Sequence, residues 1–365
     1  MKGPVAFLEK VLLGWIDADR WFPIQLDINN ACNLRCNHCY HPHHRNSGAL
    51  RLADWTKIYD EYTAFCRRLR FRPSLILCGG EPLLSPDLFP IMAHARALTP
   101  GVPISILTNG TLITGALAER LSSLGGVELQ MSLDGPTEET HDRVRGAGGF
   151  QKVRQAVEIC KSQGLGLHFL AVLSRANADA IPRFFDLARE WGVRFMGFTR
   201  FIALGQGQGL RSSGADRPLT APELKEAYER ILSESARTGV QTHTGMPLMH
   251  LLHPTLGGSG RFWESMVVDY QGRLLASSRS RLVLGDVRAE GLENLFLKHP
   301  MLRRLRAGNV SVCGKCPHFR RCGGDRNAAY AEYGNFLGPD PGCWLTSEKP
   351  VQSKGAIHEF VESMA

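Results

Sequence analysis

Seven of the chain's ten cysteines fall in two tight groups, and no other feature limits the protein as strongly. Cys32, Cys36 and Cys39 form the first group; Cys313, Cys316, Cys322 and Cys343 form the second. Cysteines spaced this closely, with no secretory signal ahead of them, point to metal ligation in a reducing compartment rather than to disulfides. A cytoplasmic protein is expected. Three thiolates leave one iron of a cubane cluster without a protein ligand, the open position that reaction chemistry needs. Zinc is the rival, because His38, His41, His43 or His44 offers a fourth ligand. The second group has four thiolates, which close either a cluster or a structural zinc site. Cys66, Cys78 and Cys160 stand alone and read as small buried hydrophobes.

The chain has 365 residues, 43% of them hydrophobic and 21% charged, enough for one large and one small domain. No apolar run is long enough to cross a bilayer, so no membrane partner is expected. Met1–Trp15 carries Glu9 and Lys10 within its apolar stretch and has no small-residue cleavage site, so residues 1–21 read as a leading amphipathic helix. The net charge of +8 reads first as scattered solvated charge; an acidic peptide, a carboxylate-rich small molecule or nucleic acid is the other reading. The basic runs 67–70 and 303–306 lack the interleaved aromatics of a nucleic-acid platform, so nucleic acid is not expected.

Between residues 22 and 240, short runs rich in Ile, Val, Leu and Phe alternate with helical patterns. The expected strands are Ile24–Asn29, Ser74–Cys78, Ile104–Thr108, Val127–Leu133, Leu167–Val172 and Arg194–Thr199. The expected helices are Leu52–Arg70, Pro86–Leu98, Gly115–Leu124, Gln151–Gln163, Asn177–Trp191 and Pro222–Thr238. Thr220 and Glu223 have capping-box spacing, and Ser85–Pro86 reads as a cap followed by a first-turn proline. Six β/α units in series predict an α/β fold with a parallel sheet: a partial (β/α)6 barrel, with an open doubly wound sheet as the alternative. Either way, function belongs at the carboxyl ends of the strands. Gly205–Gly214 is a lid, a mobile substrate loop or a plain connection. Residues 241–365 form the second, smaller domain. It holds an irregular stretch over 245–260, a hairpin over Met266–Ser278 turning at Gln271–Gly272, a helix over Leu292–Arg306, and then the second cysteines.

The motif Cys-Asn-Leu-Arg-Cys-Asn-His-Cys over 32–39 resembles the signature of the radical S-adenosylmethionine (SAM) superfamily, with His38 at the aromatic position. Further matches follow at successive strand ends: Gly79-Gly80-Glu81-Pro82, Thr108-Asn109-Gly110, Ser132-Leu133-Asp134-Gly135, and Arg145 beyond them. The resemblance implies a 4Fe–4S cluster held by Cys32, Cys36 and Cys39. It also implies SAM contacts from His38, Gly79, Gly80, Glu81, Asn109, Ser132, Asp134 and Arg145. The residue types suit that ligand. Glu81 can accept from its ammonium, Gly79 and Gly80 admit close backbone approach, and Ser132 and Asp134 can bond ribose hydroxyls.

Cys313-x2-Cys316-x5-Cys322 with Cys343 resembles the SPASM extension, which carries auxiliary iron–sulfur clusters. The chain departs from the full pattern, with Ser277 and Arg326 where cysteines are expected. One auxiliary 4Fe–4S cluster is therefore implied, not two. The implied activity is reductive SAM cleavage to a 5′-deoxyadenosyl radical that abstracts a substrate hydrogen. The substrate expected is a ribosomally made peptide. The alternative is tetrapyrrole side-chain chemistry in haem or haem d1 synthesis, or an oxidative dehydrogenation of a small substrate. Another class is a non-catalytic metal- or cluster-binding partner protein. A flavodoxin- or ferredoxin-type electron donor is implied. No leader-binding domain of the usual size precedes residue 22, so either a separate leader-peptide-binding protein or direct recognition by the barrel is expected. His168, Asp269 and Tyr270 are unranked acid–base candidates, and no catalytic residue is assigned.

Overall fold

The computed structural model describes residues 21–41, 45–212, 216–242, 245–258 and 265–346. The leading helix expected over Met1–Trp15, and His43 and His44, lie outside these. β1 (Trp21–Asn29), β2 (Arg72–Gly79), β3 (Ile104–Thr108), β4 (Val127–Ser132), β5 (Gly166–Leu173) and β6 (Met196–Arg200) are parallel. They lie side by side in chain order. A doubly wound sheet would reverse its order at a switch point, and this one does not.

The strands differ on their two faces. Along β1, Phe22, Ile24, Leu26 and Ile28 are buried in the main apolar core. Gln25, Asp27 and Asn29 alternate with them and so line the opposite face. One face covered by helices and one lined with polar groups makes an open, partial barrel with a concave channel. The covering helices include α1 (Leu52–Leu69), α2 (Leu88–Leu98), α3 (Gly115–Ser123), α4 (Glu138–Arg145), α5 (Gly149–Ser162), α6 (Ile181–Glu190) and α7 (Ala221–Thr238).

The capping box at Thr220 forms, with Glu223 accepting from both the Thr220 amide and hydroxyl at 2.8 Å. The Ser85–Pro86 cap does not start the helix. Ser85 accepts from the Asp87 amide, and α2 begins at Leu88. α4 was not expected from the sequence. Its signal is Thr137, which caps it, followed by Glu138 and Glu139 in the first turn.

The sheet runs on across residue 240. β7 (Met266–Val268) pairs parallel to β1, and β8 (Arg273–Leu275) and β9 (Val283–Asp286) add antiparallel. The hairpin turns at Gly272, whose φ is 82°. The single helix expected over 292–306 is two, α8 (Leu292–Lys298) and α9 (Pro300–Arg306). Pro300 drives His299 out of the helical region, to φ −54° and ψ 126°. α8 returns to the barrel: Phe296 meets Phe22 of β1 at 5.6 Å, and Phe22 also stacks on Phe71 at 4.9 Å. A further helix, α10 (Arg326–Tyr333), is capped by Asp325.

Candidate active site

The first cysteine loop leaves the carboxyl end of β1 and is gripped from several sides. The Asn37 amide donates to Val144 O of α4 at 3.2 Å, and the Gln206 amide donates to Cys39 O at 2.8 Å. Gly205 explains the second grip. It has φ +59°, and a Cβ there would lie 2.5 Å from Tyr40 O. Residues 205–210 form a short helical turn that buttresses the cysteine loop. Residues 213 and 214 of this stretch lie outside the described residues. Sequence reading left Gly205–Gly214 undecided; the spaced glycines at 205 and 207 were the available signal.

Two side chains reach the sulfurs, and the Leu34 amide donates to Cys32 Sγ at 3.4 Å. Asn109 Nδ2 donates to Asn33 Oδ1 at 2.9 Å and lies 3.9 Å from Cys32 Sγ. Arg145 Nη1 lies 3.9 Å from Cys36 Sγ. Arg145 is fixed by Asp134, which accepts from its Nε at 2.5 Å. His38 Nε2 stands 3.3 Å from the same carboxylate oxygen, and the Val172 amide donates to the other at 2.7 Å. Burial would raise the Asp134 pKa, but Arg145, His38 and the Val172 amide together hold it below the ordinary carboxylate value. Burial lowers that of His38. His38, Asp134, Val172, Asn177 and Phe201 line a small cavity beside the cysteine loop.

Several expected contacts turn out to hold the protein itself. A Cβ on Gly79 would lie 2.3 Å from Asn29 O, and one on Gly80 would lie 2.3 Å from Ala31 O. These glycines let the end of β2 pack against the chain leaving β1. Glu81 is fully buried; its Oε1 accepts from Thr108 Oγ1 at 2.7 Å and the Leu83 amide at 3.2 Å, and its Oε2 accepts from the Asn109 amide at 2.8 Å. It ties the ends of β2 and β3 together. A carboxylate has about four acceptor sites, so capacity for one more donor remains on Oε2. Ser132 ends β4, in register with Leu170 of β5. Asp269 bonds Arg273 and the Gln271 amide within the hairpin turn, a structural duty.

The donor set suits a cluster. The three thiols are half-buried, and Arg145 brings positive charge beside them. Burial pushes Cys39 up to about 11 and also raises Cys32 and Cys36, so ligation would release protons. No three Cys, His, Asp or Glu side chains among the described residues are arrayed for a single metal ion. Ligands of a cubane bind different irons and need not converge on one point. Of the rival zinc ligands, His38 faces Asp134, and His41 Nδ1 bonds Asn30 Oδ1 at 2.9 Å.

The radical SAM superfamily pattern matches residues 26–188. The chain is 30% identical to the mycofactocin maturase MftC of Mycobacterium tuberculosis over 345 residues, covering 90% of this chain and 84% of that one. It belongs to the radical SAM superfamily. It is also 28% identical to an AdoMet-dependent heme synthase of Methanosarcina barkeri, covering 88% of this chain and 95% of that protein. The fold is similar to Streptococcus suis SuiB bound to its precursor peptide SuiA, with TM-score 0.73 at 14% identity, covering 93% and 79% of the two chains. A radical SAM protein is an enzyme, and its chemistry uses a 4Fe–4S cluster and SAM. The reading as a non-catalytic binding partner is set aside.

The second cysteine group of this radical SAM enzyme rings one cavity. Cys313, Cys316, Cys322 and Cys343 all line it, with Leu248, Phe319 and Asp340. Burial pushes Cys322 up to about 12. Asp340 bonds Arg200 of β6 at 2.8 Å, so the cavity is fastened to the barrel by a buried ion pair. The turn at Ser277, where the SPASM pattern has a cysteine, sends two arginines inward. Arg281 pairs with Asp27 of β1 at 3.0 Å, and Arg279 reaches Thr199 Oγ1 at 3.3 Å. Among the described residues, no helix is long and apolar enough to cross a membrane.

Proposed function

We propose that Cys32, Cys36 and Cys39 hold the SAM-cleaving cluster and that the enzyme modifies a ribosomally made peptide in the cytoplasm. The observation carrying the site is the convergence of Asn109 and Arg145 on the sulfurs of the first cysteine loop. Held by Cys32, Cys36 and Cys39, a reduced 4Fe–4S cluster would supply the single electron for reductive SAM cleavage and so for hydrogen abstraction from a substrate. The residues do the positioning. Asp134 holds Arg145 over the loop, where its cation suits both the cluster and a SAM carboxylate. Oε2 of Glu81 retains one acceptor site for the SAM ammonium. His38, Val172 and Asp134 wall the adjoining cavity, which suits the adenosyl end, and Ser132, at the end of β4, is the second ribose candidate. Gly79 and Gly80 shape the strand end from which Glu81 projects.

The second group closes an auxiliary 4Fe–4S cluster through Cys313, Cys316, Cys322 and Cys343. About eight irons per chain would support both sites; four irons and one zinc would overturn the second. The peptide reading draws on the likeness to a maturase; a flavodoxin- or ferredoxin-type electron donor goes with it. The likeness to a heme synthase favours a tetrapyrrole as the second reading.

The direct test is anaerobic incubation of reconstituted enzyme with dithionite and SAM. Release of 5′-deoxyadenosine is expected, and none from the triple Ala variant of Cys32, Cys36 and Cys39. An active triple variant would overturn the site. Turnover with candidate peptides and porphyrins, read by mass spectrometry, separates the two substrates.

A further inference from the structure

Arg326 stands four residues after Cys322, where the SPASM pattern has a cysteine. Its side chain is not merely a filler. The residue is 1% exposed, among the largest buried side chains in the protein. Nε donates to Gly324 O at 3.2 Å, and Nη1 donates to Phe336 O at 3.0 Å and Gly338 O at 2.5 Å. These bonds fix the guanidinium plane. Nη2 then donates to Cys313 Sγ at 3.4 Å. A Cβ on Gly324 would lie 2.4 Å from that Nη2 and 3.0 Å from Cys313 Sγ, so glycine leaves the room for this contact.

The charge is what needs explaining. No carboxylate among the described residues lies within ion-pair distance of Arg326; the Asp325 charge acts on it only from farther off. Asp340 is bonded to Arg200, and Asp325 Oδ1 accepts from the Asn327 and Ala328 amides. A buried cation bonded only to carbonyls and a sulfur is costly unless an anion lies beside it. The four-cysteine cavity lies beside it. A four-thiolate centre is anionic, and reduction adds one more negative charge.

We propose that Arg326 is the fixed counter-ion of the auxiliary cluster and raises its reduction potential. This rests on the reading that the second cysteines hold a 4Fe–4S cluster. An N–H bond to a ligand sulfur and a neighbouring cation both favour the electron-rich state of such a cluster. The position that loses a ligand thus gains a tuning group, which biases the cluster toward accepting electrons.

The test uses the full chain carrying the triple Ala change at Cys32, Cys36 and Cys39, so that only the auxiliary cluster reports. Anaerobic potentiometry followed by electron paramagnetic resonance compares Arg326 with Arg326→Gln and Arg326→Lys. Arg326→Gln should weaken reduction at least tenfold, a fall of 59 mV for a one-electron couple. Arg326→Lys, which keeps the charge, should fall less. Four irons with an unchanged midpoint in Arg326→Gln would sink the inference and leave the cluster reading standing. Zinc in place of iron in the parent would sink the cluster reading, and the inference with it. Should Arg326→Gln fail to fold, the parent still decides. Electron–nuclear double resonance of the parent grown on 15N-arginine should show a 15N coupled to the cluster, and its absence would overturn the proposal.

Discussion

His141 gives this protein an acid-sensitive point close to Arg145 and the first cysteine loop. It lies on α4, four residues before Arg145, and is 1% exposed against Phe150. Burial, and then the Arg145 charge, push its pKa from the ordinary 6.5 down to about 4. The unfolded chain therefore takes up a proton at His141 below about pH 6.5, while the folded chain stays neutral there until about pH 4. More protons on the unfolded state means that stability falls as pH falls through that window. At pH 5 the gap spans about 1.5 pH units, or ~2 kcal/mol at 1.36 kcal/mol per unit. Other groups titrate too, so the measurement is a difference. Urea unfolding of the iron-free chain and of His141→Leu is compared at pH 8 and pH 5. The variant should gain ~2 kcal/mol relative to the parent on moving to pH 5. A difference between the two proteins that stays constant with pH would refute the buried, neutral imidazole.

The buried ion pair and the crowded glycine give two more tests. Asp340 accepts from Arg200 at 2.8 Å, the Gly342 amide at 2.8 Å and the Asp325 amide at 2.7 Å. Asp340→Ala strands the Arg200 charge and should lower stability by about 3–5 kcal/mol, with Arg200→Met plus Asp340→Leu recovering much of it; an unmoved unfolding midpoint in the single variant would refute this. Gly79→Ala combines φ +137° with a 2.3 Å clash on Asn29 O, whereas Gly101→Ala at φ +77° meets nothing within 4 Å. Gly79→Ala should therefore lose clearly more than the roughly 1 kcal/mol expected of strain alone, and equal losses in the two variants would argue against backbone crowding at β2.

What the sequence made legible was what repeats locally. Ile104–Thr108 is a strand to the residue, because its apolar run is short and bounded on both sides. The six units followed from alternation alone, whereas their order in the sheet, which separates a barrel from a doubly wound sheet, did not. The cysteine groups were readable because few other structures place three thiols in one short loop. What escaped was set by contacts between distant residues. No local pattern shows that Asp134 and Glu81 also bond the protein itself, accepting from Arg145, Val172, Thr108, Leu83 and Asn109. No local pattern reveals that Gly205 meets Tyr40, or that the glycine pair at 79 and 80 serves the protein backbone. α4 was missed for a different reason. It is short and charged, so its cap at Thr137 outweighs any periodicity.

The positions where the chain departs from the SPASM pattern are where its structure is most polar. At 277 and 326, where that pattern has cysteines, this chain has Ser and Arg. Empty space or unpaired thiols would weaken packing there. Instead, Arg326 fills its place with three carbonyl bonds and one to sulfur. The turn at Ser277 carries Arg279 toward Asp325 at 3.5 Å and Arg281 toward Asp27 at 3.0 Å. Asp325 and Asp340 in turn join the loop bearing Cys322 to the one bearing Cys343, and Arg200 joins both to β6. A network of guanidiniums and carboxylates therefore stands where one set of ligands is missing, linking the channel to the remaining four-cysteine site. It fixes that site against the barrel and leaves it beside a permanent positive charge.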